Sequence, residues 1–106
     1  MSRRKGITDA LEILDAAAAG DPELARVLEE ERINAEVGRE ILALRTRRGL
    51  TQAQLAGRVG TTQSVIARLE AADYTGHSLR MLRRIADALD ARLSVHLVSR
   101  EGMAAD

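Results

Sequence analysis

The chain has 106 residues, enough for one hydrophobic core but not for two, with no Cys, Trp or Phe and a single Tyr. The lack of cysteine excludes a disulfide frame and thiol chemistry, which suits a reducing cytoplasm, and no apolar run approaches the roughly 20 residues of a membrane span. Lys and Arg (16) balance Asp and Glu (16) overall, but residues 1–35 carry five basic and eight acidic side chains while residues 36–100 carry eleven and six, so the basic half is the part suited to a polyanion.

In chain order, Arg3, Arg4 and Lys5 form a basic tail without the apolar segment of a signal peptide, so a cytoplasmic location is expected. Ile7, Leu11 and Leu14 predict a short amphipathic helix over 8–19 that stops at Gly20. Asp21 then caps a new helix with Pro22 in its first turn, where the missing N–H costs nothing, and Leu24, Val27 and Leu28 are its apolar stripe. The acidic run Glu29, Glu30, Glu31 fits either a solvated face or a surface for a basic partner. From Ile33 the spacing resets to Ile33, Val37, Ile41 and Leu44, a helical stripe running to Gly49. Arg47 and Arg48 at its end suit phosphate or solvent equally.

The most informative stretch is 50–70, LTQAQLAGRVGTTQSVIARLE. Thr51 can cap a helix that buries Leu55 and Val59, and Gly60 can take the positive φ of a sharp helix end. A second helix follows, anchored by Ile66 and Leu69, with the small Ala56 letting the two approach closely. At 100° per residue, Thr62, Ile66 and Leu69 share one side; Ser64, Ala67 and Arg68 point away, with Gln63 on the flank. That outward face is short and polar: a Gln amide can bond bidentately to adenine, and Arg can bond guanine or phosphate.

After a loop at YTGH, Ser78 caps a helix closed by Leu79, Leu82, Ile85, Ala86 and Leu89. Its Arg80, Arg83 and Arg84 fit phosphate, a partner or solubility alike. In the last stretch, 91–98, Leu93, Val95 and Leu97 alternate with Arg92, Ser94 and His96, the period of two of a β-strand. A lone strand leaves its backbone groups unpaired, so the remedy expected is pairing with the same strand of a second copy about a two-fold axis, or a mixed sheet in which another protein adds a strand. Such a homodimer would set two reading helices about one DNA turn apart, ~34 Å, to meet a palindromic operator. His77 and His96 are the only histidines; with no cysteine and no HExxH-type spacing, neither a metal nor a cofactor nor an enzyme activity is expected.

With TQxxLA followed by VGxTQSxIxRLE, the chain from about residue 37 to 89 resembles the Xre-type, lambda-repressor-like helix-turn-helix family. The fold expected is an all-α, lambda-repressor-like bundle of about five to six helices, with the one C-terminal β-strand read from the alternation paired across the homodimer. The resemblance implies double-stranded DNA contacts by Thr51, Gln52, Thr61, Thr62, Gln63, Ser64, Ala67, Arg68, Tyr74 and Thr75, with Gln52 on a phosphate and Gln63 and Ser64 facing bases. It also implies a structural pair between Arg45 and Glu70. The family often continues Glu-Asn-Gly where this chain has Glu70, Ala71, Ala72 and Asp73, which makes the loop along the phosphates less basic. Size, acidic leader and closing strand after RIADALDARL are similar to HigA-type antitoxins of type II toxin-antitoxin pairs, which neutralise a small basic toxin ribonuclease and repress their own operon. The organisation expected is therefore an acidic helical segment at 1–35 for a toxin, a DNA-binding domain at 36–90, a dimerisation strand at 91–98 through Leu93, Val95 and Leu97, and a tail at 99–106. The alternatives are a stand-alone or phage-type regulator with no toxin, and an interaction module that keeps the fold without binding DNA.

Overall fold

Asp21 starts the first helix: its carboxylate accepts from the Glu23 and Leu24 N–H groups at 3.1 and 3.2 Å, and Pro22 takes the position that needs no donor. The computed structural model describes residues 20–73 and 76–101. Within them lie four helices, α1 (Pro22–Arg47), α2 (Gln52–Val59), α3 (Gln63–Glu70) and α4 (Leu79–Ala88). The helix expected over 8–19 lies outside the described residues.

The stripes at Leu24 and at Ile33 predict two helices, and the structure joins them in one of 26 residues. No proline interrupts it, and the apparent reset at Ile33 is a change of face: Val27 and Ile33 are both about half exposed, whereas Asn34, Gly38 and Ile41 are buried. The 35/36 boundary between acidic leader and basic core thus falls inside a continuous helix. Gly49, at φ 69°, turns the chain out of α1.

Helices α2 and α3 pack on each other, α1 lies against α3, and α4 against α2. Their shared core is aliphatic: Ile41 from α1, Leu55, Ala56 and Val59 from α2, Ile66 and Leu69 from α3, and Ile85 with Leu89 at the last helix. Leu55 and Ile66 are wholly shielded from solvent, a burial that stabilises by about 1.5–3 kcal/mol for each such side chain. Ala72 ends the α3 turn at φ 60°, a left-handed position that strains an alanine by roughly 1–2 kcal/mol and that glycine would take freely. It sits at the place of the Gly in the family's Glu-Asn-Gly.

No strand occurs among the described residues; 91–98 is without regular structure. A single chain offers this segment no ladder to join. Leu93 is partly covered, while Val95, Leu97 and Val98 stand 58, 98 and 70 % exposed.

Candidate nucleic-acid interface

Two short helices and a glycine turn build the site. The Thr51 hydroxyl accepts from the Gln54 N–H at 3.0 Å, and the Gln54 side-chain carbonyl accepts from the Thr51 N–H at 2.8 Å, a reciprocal cap that fixes where α2 begins. Gly60 ends α2 at φ 85° and ψ 33°, with the Gly60 and Thr61 N–H groups both donating to the Ala56 carbonyl at 2.9 Å. Thr62 then caps α3 by accepting from the Val65 N–H at 3.3 Å. Reading Thr62 by helical angle puts it with Ile66 and Leu69, but the helix starts only at Gln63, so Thr62 is exposed at the mouth of α3 instead.

Ile66 and Leu69 are buried, and Gln63, Ser64 and Arg68 are exposed on the opposite side of α3. Thr61 and Ala67 are partly covered; Thr51 is exposed. The Arg68 guanidinium reaches the Asp73 carbonyl at 3.4 Å. Tyr74 and Thr75 lie outside the described residues.

A chain of polar contacts that the sequence does not announce ties this face to the scaffold. Gln63 Nε2 donates to Gln52 Oε1 at 2.9 Å, and Gln52 Nε2 donates to Glu70 Oε1 at 2.9 Å. Arg45 grips Glu70 with two bonds, Nε to Oε2 at 2.6 Å and Nη2 to Oε1 at 2.9 Å, and its Nη1 donates to the Leu50 carbonyl at 2.8 Å. The pair is nearly sealed from solvent, with side chains 12 and 6 % exposed. Burial pushes the Glu70 carboxyl up, but the bonds from Arg45 and Gln52 and the arginine charge outweigh it and hold the group below the usual carboxylate range. The bond from Glu70 in turn raises the Arg45 pKa against its burial.

The consequence lies at Gln63. With one amide N–H given to Gln52, the side chain keeps its second N–H and its carbonyl oxygen, the donor and acceptor that adenine takes in the major groove. Gln52 presents this amide at a set angle because Glu70 and Arg45 hold Gln52. Arg48, by contrast, is engaged in structure: its Nε donates to the Leu89 carbonyl at 3.1 Å and its Nη2 pairs with Asp90 at 3.1 Å, binding the end of α1 to the end of α4.

Gly38 is the other residue whose role sequence reading missed. A Cβ there would stand 2.6 Å from the Leu69 carbonyl oxygen and 2.8 Å from that of Glu70, so α1 and the end of α3 touch backbone to backbone. Among the described residues no group of His, Asp or Glu could hold a metal ion, and no helix is long and apolar enough to cross a membrane.

A protein-family model described as Helix-turn-helix matches residues 41–95, just over half of the chain, from within α1 to just past α4. No curated protein and no solved structure matches it.

Proposed function

Because the chain belongs to the Xre-like helix-turn-helix family of DNA-binding transcription regulators, we propose that it is a sequence-specific repressor that binds a palindromic operator as a homodimer. One observation carries this: α3 presents Gln63, Ser64 and Arg68 outward from a capped, glycine-terminated scaffold, with the Gln63 amide oriented through Gln52, Glu70 and Arg45. Gln63 and Ser64 face base edges, Gln52 and Thr51 lie at the phosphate beside α2, and Arg68 reaches a base or the backbone. The dimer is formed by 91–98. Support comes from exposed Val95 and Leu97 and from an apolar cleft of about 260 Å³ between α1 and α4 that Leu93 lines, so a paired strand would continue an apolar surface already begun.

Gln63→Ala is expected to relax the preference at one base position in each half-site by about 1–3 kcal/mol, leaving the other positions unchanged. Sequence selection from a random duplex library with both proteins measures it. An identical preference profile would remove Gln63 from base readout.

The finer assignment is antitoxin of a type II toxin-antitoxin pair in the bacterial cytosol. It is supported by the first half of α1, where Glu29, Glu30 and Glu31 are exposed beside the half-exposed Val27, an acidic and apolar surface suited to a small basic toxin. The product of the neighbouring reading frame is expected to co-purify as a small basic protein. Recovery of the homodimer alone with its operator would favour the stand-alone regulator.

A further inference from the structure

Arg80, Arg83 and Arg84 stand together on exposed α4, in a shallow basin where Asp87 is the one acidic lining residue among those described. None of the three makes a hydrogen bond or ion pair among the described residues. Arg45, Arg48 and Arg68 are engaged, with Glu70, Asp90 and the Asp73 carbonyl respectively, whereas Arg58 in the last turn of α2 is exposed like the three on α4. The connection from α3 to α4, residues 71–78, brings no cation of its own.

Their position works against the helix that carries them. The N-terminal end of a helix is its positive end and favours anions, yet the first turn of α4 has no acid and holds Arg80, with Arg83 and Arg84 in the turn after it. A bound anion would offset both. The same arginines also adjoin the reading helix. Arg80 and Arg84 line a pocket with Gly60, Thr61 and Ser78, and Arg84 Nη2 is 4.0 Å from where a Gly60 Cβ would stand. Thr61 directly precedes the cap of α3, so when the start of α3 enters a major groove about 12 Å wide, these guanidinium groups lie at its rim, where the phosphates run.

We infer that Arg80, Arg83 and Arg84 form a phosphate-contact surface that grips the duplex backbone beside the helix that reads it. This rests on the DNA-binding function proposed above. The contact replaces the basic loop that the segment after Glu70 lacks, and it carries no sequence information, because phosphates are the same at every step.

The test uses the full chain, a labelled random-sequence duplex, and the duplex recovered by selection, with binding followed across KCl concentrations. The R80Q/R83Q/R84Q variant is expected to lose affinity for both duplexes by a similar factor. Its slope of log K against log salt should be shallower by about 2–3, since each phosphate contact in B-DNA contributes roughly 0.9. The selected base preference should stay that of the wild type. Thermal unfolding checks that the variant folds; should it not, the single R80Q, R83Q and R84Q variants carry the test, each with a slope change near 1. A folded variant with wild-type slope and affinity overturns the inference and leaves the patch to an acidic protein surface. A wild type that binds neither duplex overturns the DNA-binding reading as well, so the two failures are told apart.

Discussion

Replacing Arg45 with alanine lowers the free energy of unfolding by about 3–5 kcal/mol at neutral pH, a large share of the roughly 5–15 kcal/mol that holds a domain of this size together. The reason is what the substitution leaves behind. Glu70 is nearly sealed from water, and its charge is accepted there because Arg45 supplies two of its hydrogen bonds and the opposite charge. Without the arginine the carboxylate keeps its burial cost and only the bond from Gln52. The pH dependence reverses accordingly. In the wild type the carboxyl is held below its unfolded value, so its contribution is complete above the ordinary carboxylate range near about 4 and is lost as the pH falls through the lowered folded value. In Arg45→Ala burial dominates and raises the carboxyl, so the deficit is greatest at neutral pH and shrinks as the solution is acidified toward that raised value. Urea unfolding of both proteins at neutral and mildly acidic pH measures this, and a deficit independent of pH would contradict it. Arg45→Lys keeps the charge but not the planar fork, and falls between the two. The pair Arg45→Met with Glu70→Leu removes both charges and recovers most of the stability, yet it releases Gln52, so operator preference at the Gln63 position stays degraded after the fold is restored.

Gly38→Ala is the second large effect, a loss of about 2 kcal/mol or more. In an ordinary helix interior this change stabilises by roughly 1 kcal/mol, because glycine has the greater freedom to lose on folding. Here the added methyl meets the carbonyl oxygens of Leu69 and Glu70 at 2.6 and 2.8 Å and the Glu70 carbonyl carbon at 3.2 Å. These are backbone atoms and cannot swing aside, so α1 must move off the end of α3. Gly57→Ala in α2 is the control, since nothing lies within 4 Å of its added Cβ, and there the ordinary gain of up to about 1 kcal/mol is expected. Opposite signs for the two glycines in thermal unfolding would support the close contact; two gains would refute it.

The two glycines also show what a sequence displays and what it hides. Caps and turns are local, so Asp21, Thr51, Gly60 and Ser78 mark helix ends that the structure places where the spacing puts them. The inward residues of the motif, Leu55, Val59, Ile66 and Leu69, follow from periodicity for the same reason. Gly38 acts through carbonyl groups 31 and 32 positions further on, and nothing near it in the chain betrays that. The bond between Gln52 and Gln63 is likewise a meeting of two helix starts, invisible until the turn at Gly60 is built. The continuity of α1 is hidden in the sequence because a stripe that drifts from one face to another resembles two stripes. The segment at 91–98 shows the alternation of a strand, yet it has no regular structure in the single chain.

That uninterrupted α1 has a mechanical consequence. At about 1.5 Å per residue its 26 residues make a strut roughly 39 Å long. Its first half carries the acidic residues Glu29, Glu30 and Glu31, and its second half carries Gly38 and Arg45, which seat α3. With no break between them, the acidic half and the seat of the reading helix belong to one continuous helix, so a displacement of the first moves the second.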